Sequence, residues 1–218
     1  LSGREVVETV SRGKHLLTRI GRGEDAVTLH THLKMEGSWH VYPEGERWRR
    51  PDTQARLVLG IDGRKAVGFQ LGIVELVPRE HEADLVAHLG PDLLGPDWDE
   101  DEALRRLRAV PSHPLVEALL DQRNLAGIGN MYKAEALFVS GIRPDRPVAD
   151  VPDLARLVRR ARQMLGANKE RAEQTFTGDL RQGRRTWVYR RDRQPCRRCG
   201  SRIQYDEQGP ELQERATY

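Results

Sequence analysis

Leu119-Leu-Asp-Gln-Arg-Asn-Leu-Ala-Gly-Ile-Gly-Asn-Met-Tyr-Lys-Ala-Glu-Ala-Leu-Phe138 is the stretch around which the chain is organised. Ahead of it, Pro114 to Asp121 has the pattern of a short helix, and Met131 to Val139 carries apolar residues at helical spacing. The Gly127-Ile-Gly-Asn130 segment therefore joins two helices. Gly127 and Gly129 are expected to take positive φ, and Asn130 stands where an N-cap belongs. Unpaired amides at the positive end of a helix dipole, with no side chain in the way, are what holding a phosphate requires.

The composition narrows the function class. With 218 residues the chain is long enough for two modest domains, each with its own core. Mean hydropathy is -0.68 and no apolar run approaches twenty residues, so a membrane span is not expected. Leu1 to Ile20 lacks the apolar centre of a signal peptide, which leads to the expectation of a soluble, cytoplasmic protein. The net charge of +3 is small but unevenly spread. From Arg181 to Arg202 arginines crowd together with Asp192 as the only acid, and Trp187 and Tyr189 lie among them. Guanidinium forks grip phosphate oxygens and aromatic faces stack on bases, so Arg185 and Tyr189 are taken as nucleic-acid contacts.

Glu5 to Val10, Leu16 to Ile20, Val27 to Leu33, Ser38 to Tyr42, Ala55 to Ile61, Ala66 to Phe69 and Ile73 to Val77 are short, β-prone and separated by turn residues. They suggest a sandwich, and Asp62-Gly63 signals a type I′ hairpin. From Asp99 the pattern becomes helical: Asp99 to Ala109, the pair described above, and Pro152 to Leu165 with a stripe of Leu154, Leu157, Val158, Ala161 and Leu165. The expected class is α+β, with the boundary near Gly90 to Pro96. A β-sandwich over 1–92 and a helical domain over 97–180 are followed by a hairpin segment over 181–218.

Leu-Asp-Gln-x-x-Leu-Ala-Gly-Ile-Gly-Asn-x-Tyr resembles the helix-two-turn-helix motif of the formamidopyrimidine-DNA glycosylase and endonuclease VIII family, and the likeness extends along nearly the whole chain. It implies a base-excision repair glycosylase with apurinic/apyrimidinic lyase activity, a monomer acting on damaged double-stranded DNA and on no membrane. Asn130 would hold backbone phosphate. Arg12-Gly13-Lys14 resembles the family hairpin whose lysine assists catalysis at the lesion's sugar-phosphate, which falls on Lys14. Lys34-Met35-Glu36 resembles the loop that fills the hole left by an extruded base, and His88 falls where endonuclease VIII relatives touch the DNA backbone. Between Lys65 and Ile73 there is no arginine-arginine-phenylalanine-glycine loop, which places the chain on the endonuclease VIII side, where oxidised pyrimidines are the usual substrates.

The resemblance also concerns the two ends. The family's nucleophile is the secondary amine of an N-terminal proline, whose pKa of about 8 leaves a neutral fraction in the cell. Leu1 resembles a point inside the first domain, so the proline is expected upstream. Cys196-Arg-Arg-Cys199 resembles the first half of a zinc ribbon with four cysteines, a structural site that needs a second pair. A redox Cys-x-x-Cys is the alternative, although such motifs open a helix after a strand. Arg215 resembles the hairpin arginine that enters the lesion site. A rival reading is a non-catalytic binder of damaged or structured nucleic acid, because helix-two-turn-helix elements also occur in ribosomal and topoisomerase proteins.

Overall fold

The structure is a computed structural model that describes residues 1–209 and 214–218. Two compact units divide the chain, Leu1–His88 and Leu89–Tyr218. The first is built of strands: β1 (Val6–Arg12), β2 (His15–Ile20), β3 (Val27–His32), β4 (Ser38–Pro43), β5 (Ala55–Ile61), β6 (Arg64–Phe69) and β7 (Ile73–Pro78). Every strand expected from the alternation of β-prone residues is present, with its ends within two residues of the reading. One antiparallel sheet has the order β1-β2-β3-β7 and the other β4-β6-β5. Asp62 and Gly63 have φ of 41° and 72°, the two positive values a type I′ turn requires.

Register matters most in the four-stranded sheet. His15 pairs with His32 and Leu17 with His30, while His30 pairs with Glu75 and His32 with Ile73. Because strand side chains alternate between faces, His15, His30, His32 and Glu75 emerge on one face. After β7, α1 (Glu82–Val86) begins with a carboxylate that accepts from Arg19 Nη2 at 2.6 Å, Arg79 Nη1 at 2.8 Å and Thr28 Oγ1 at 2.5 Å. Those contacts fasten α1 to the face that carries the histidines.

The second unit begins with α2 (Glu100–Leu107), α3 (Leu115–Leu120), α4 (Asn130–Ser140) and α5 (Leu154–Asn168). Asp99 and Asp153 cap α2 and α5, accepting from the amides of Glu102 at 2.9 Å and Arg156 at 2.8 Å. Gly141 ends α4 at φ 68°, a left-handed position that costs glycine little. The stripe on α5 is buried at Leu154, Leu157, Val158 and Ala161, and packs with Leu115, Leu119, Leu125, Ile128 and Leu137 in one core. Two short strands, β8 (Asp206–Gln208) and β9 (Arg215–Thr217), pair antiparallel.

The α3–α4 turn departs from expectation in two respects. Gly127 does have φ 106°, but Gly129 is extended, with φ -120° and ψ 178°, and is itself the N-cap. Asn130 is the first residue of the helix rather than its cap, and no side chain caps α4. A different amide closes the turn. Gln122 donates from Nε2 to the carbonyls of Leu120 (2.7 Å) and Ile128 (3.1 Å), and its Oε1 accepts from the Gly127 amide at 3.0 Å. Gln122 thus supplies the tie expected of Asn130.

Leu157 is 1% exposed and central to this core, so Leu157→Ala is expected to cost about 2–5 kcal/mol of stability in a chemical denaturation experiment.

Candidate nucleic-acid interface

In the first unit, Lys14, Lys34 and His88 gather around a cluster of imidazoles. His15 stacks on His30 with ring centroids 5.0 Å apart and meets His32 and His88 edge-on at 4.8 Å and 5.7 Å. His15 Nδ1 lies 2.8 Å from His30 Nε2, and His30 Nδ1 lies 3.1 Å from Glu75 Oε2. His15 is pushed down to about 4, first by burial and then by His32, His30, His88 and Lys34. His32 is also pushed down to about 4, by burial and by the ammonium groups of Lys34 and Lys14. The two lysines identified from sequence thus act on the same imidazole.

The 33–37 loop is set by its own backbone. Lys34 has φ 54°, its amide donates to His32 Nδ1 at 2.8 Å, and the Gly37 amide closes the turn on the Leu33 carbonyl at 2.9 Å. The Lys34 stem lies over Gly72, where an added Cβ would collide with it. Met35 is 81% exposed at the tip, beside exposed Glu36, which excludes a core role for this methionine.

In the second unit, Asn130 opens α4 with its Oδ1 buried and without a hydrogen-bond partner among the described residues. The Lys133 amide makes the first helical bond, to the Gly129 carbonyl at 2.9 Å, so the amides of Asn130, Met131 and Tyr132 precede the ladder. Arg215, exposed on β9, lines a cavity of about 400 Å³ with Gln122, Arg123, His113 and Glu117. The residue that ties the α3–α4 turn therefore also faces the hairpin arginine.

Two buried charges on α4 were not anticipated. Glu135 accepts from the amides of Trp187 (2.8 Å), Val188 (2.9 Å) and Tyr189 (2.9 Å); burial raises its pKa against the pull of those amides. Lys133 donates to the Ala216 carbonyl at 3.1 Å and Thr217 Oγ1 at 3.2 Å, and burial lowers it to about 8. One helix thereby holds both the arginine-rich segment and the strand bearing Arg215. Their positions two residues apart in an apolar run could have flagged them as buried ions, but their partners, more than fifty residues away, could not be read from it.

The arginine-rich segment is largely engaged with itself. Arg185 pairs with Glu173 and donates to the Leu180 carbonyl at 2.8 Å; Tyr189 is half-buried against Tyr218, with Arg190 over its ring. Arg191 is buried and donates to the carbonyls of Trp187 and Pro195 at 2.5 Å and 2.8 Å. Arg197 donates to the carbonyls of Gly183 and Thr186, and Arg198 lies over the rings of Phe138 and Trp187. Cys196 and Cys199 flank a tight turn in which the Gly200 amide donates to the Cys196 carbonyl at 2.9 Å. Among the described residues no group of three or more His, Cys, Asp or Glu side chains could hold a metal ion. A structural zinc site of four cysteines needs a second pair beside these two thiols.

Residues 1–70 match the formamidopyrimidine-DNA glycosylase N-terminal domain, and residues 89–177 match its H2TH domain. The chain belongs to the formamidopyrimidine-DNA glycosylase and endonuclease VIII family. Within that family it is 48% identical to a probable endonuclease 8 2 of Streptomyces coelicolor, over 100% of this chain and 78% of the relative. It is also 48% identical to the DNA-(apurinic or apyrimidinic site) lyase Nei2 of Mycolicibacterium smegmatis, over 100% of this chain and 82% of the relative. The fold matches Lactococcus lactis Fpg, solved in complex with abasic-site DNA, with a TM-score of 0.79 at 23% identity, covering 100% of this chain and 81% of that one. Relatives named formamidopyrimidine-DNA glycosylase are less similar, such as that of Paracoccus denitrificans at 36% identity, in keeping with the endonuclease VIII branch.

The buried ammonium gives a test with a definite sign. Lys133 falls from its ordinary 10.5 to about 8 in the folded chain, so between those values the unfolded chain holds the extra proton and stability rises with pH. Denaturation midpoints between pH 7.5 and 10.5 should show this rise, worth roughly 3 kcal/mol at most, in the wild type. Lys133→Met should lack it.

Proposed function

We propose that this chain is the DNA-handling body of an endonuclease VIII-type enzyme, a glycosylase and apurinic/apyrimidinic lyase of base-excision repair. The observation that carries the reading is the likeness to endonuclease 8 and Nei2 proteins over the whole of this chain, joined to the convergence of Lys14 and Lys34 on one imidazole. Lys14 is assigned to the lesion's sugar-phosphate, and Arg215 to the phosphates flanking it. Asn130 and the amides that open α4 are assigned to the DNA backbone, to which His88 and Lys34 add contacts from the first unit.

Met35, unbranched and exposed, is assigned to the gap left by the flipped base, with Glu36 beside it. Arg185 and Tyr189 are assigned to the DNA as well, Arg185 to backbone phosphate and Tyr189 to base stacking. The finer architecture we propose is a β-sandwich over 1–92, a helix-two-turn-helix domain over 97–180 and a partial zinc-ribbon hairpin over 181–218, with zinc held once a second cysteine pair is supplied. The three-residue β6–β7 connection, Gln70-Leu71-Gly72, leaves no room for a loop reading the opposite base, which favours oxidised pyrimidines. The enzyme is proposed to act as a cytoplasmic monomer on damaged double-stranded DNA.

Borohydride reduction of the full-length protein on an abasic duplex should give a covalent protein–DNA adduct; binding without an adduct would point instead to a non-catalytic lesion binder. In salt titrations of lesion-duplex binding, Arg215→Ala should weaken affinity severalfold and reduce the log–log salt slope by about one. Asn130→Ala should weaken binding with little change of slope, since an uncharged amide releases no counterion.

A further inference from the structure

The histidines around Lys14 have no role in the assignments above, apart from His88. The proton positions follow from their partners. Glu75 can only accept, so His30 donates from Nδ1 and presents Nε2 as an acceptor; His15 then donates from Nδ1 and is left with a bare Nε2. Three strands, β7, β3 and β2, thus supply a relay that runs from a half-exposed carboxylate through a buried imidazole to a half-buried one. A relay of this kind supports positive charge at its far end, because the carboxylate offsets an imidazolium one ring away.

The other side chains named around His15 are basic. β1 contributes Arg12, its register partner; the turn contributes Lys14; β3 contributes His30 and His32; the loop contributes Lys34; and His88 closes the cluster edge-on. Glu75 stands at the end of the relay, and Glu36 at the exposed loop tip. Burial, and then the neighbouring basic groups, keep His15 uncharged, and an anion entering this cluster would offset both by direct attraction. We propose that His15 is a further phosphate ligand of the Lys14 site, positioned by His30 and Glu75, which takes up a proton from solvent when a phosphodiester binds and donates it from Nε2 to a phosphate oxygen.

This rests on the DNA-binding reading above. When protonated in the bound state, His15 donates from both nitrogens, to His30 and to the phosphate, so one proton enters with the DNA and none is displaced. An opposite charge in contact raises such a group by roughly two units, and binding should then tighten about tenfold between pH 7 and pH 5.

The test uses the full-length protein and a fluorescent duplex carrying a tetrahydrofuran abasic analogue, titrated by anisotropy from pH 8 to pH 5. Wild-type affinity should rise as pH falls, His15→Gln should flatten the dependence, and Glu75→Gln should reduce it by withdrawing the distant carboxylate. Should His15→Gln fail to fold, the His15 Cε1 resonance of the wild type serves instead, with its titration midpoint expected to move upward on adding the duplex. Affinity that does not change with pH, a slope unchanged in His15→Gln, or a resonance midpoint unmoved by DNA would each overturn the assignment to His15 alone. Absence of binding at every pH would overturn the DNA reading and this proposal with it.

Discussion

The second unit depends on a pair of buried opposite charges on one helix. Glu135 and Lys133 are fully enclosed, and neither is paired with the other; each is satisfied by backbone and hydroxyl groups of a different distant segment. Isolated buried charges are expensive, and the expense is tolerable only where every lone pair and proton finds a partner. The carboxylate gathers three successive amides and so forces residues 187–189 into one conformation. The ammonium does the same for the strand carrying Arg215. A hydrophobic helix of the same shape would pack, but it would leave both segments free to choose other arrangements.

The first unit poses a different problem, that of placing several basic side chains side by side. Lys14 and Lys34 are permanent cations, and placing further permanent cations beside them would strain the sheet through mutual repulsion. Imidazoles fill the space between them at no charge, because burial and the neighbouring ammonium groups keep His15 and His32 neutral. The backbone supports this economy: Lys34 adopts a left-handed conformation and directs its amide onto His32, and Gly72 makes room for its stem.

Much of this was legible in the sequence where the signal was local. Strand alternation, the Asp62-Gly63 turn, the α5 stripe and the glycine turn before α4 depend on neighbours within a few residues, and all appeared close to where they were expected. Asn130 departs from its N-cap preference for a reason outside its own neighbourhood: Gln122, eight residues earlier, already ties the turn. His15, His30, His32 and Glu75 were missed because they meet only through the register of β2, β3 and β7. A His-x-His pair in a strand signals two imidazoles on one face, but not what lies across from them. Likewise, the density of arginines was visible from composition, whereas their division between solvent and internal carbonyls was not.

That division bears on how the 181–202 stretch holds its shape. Apolar side chains there are few, and guanidinium groups take over the usual work of a core: Arg191 and Arg197 bind main-chain oxygens, and Arg198 covers two aromatic rings. Planar, multiply donating cations thus act as mortar between turns of the chain. Lysine would carry the same charge but could neither bridge two carbonyls in a plane nor lie flat on an indole. Exchanges that look conservative on an electrostatic map would here loosen the masonry, and the neighbouring thiols would lose the frame that sets their spacing.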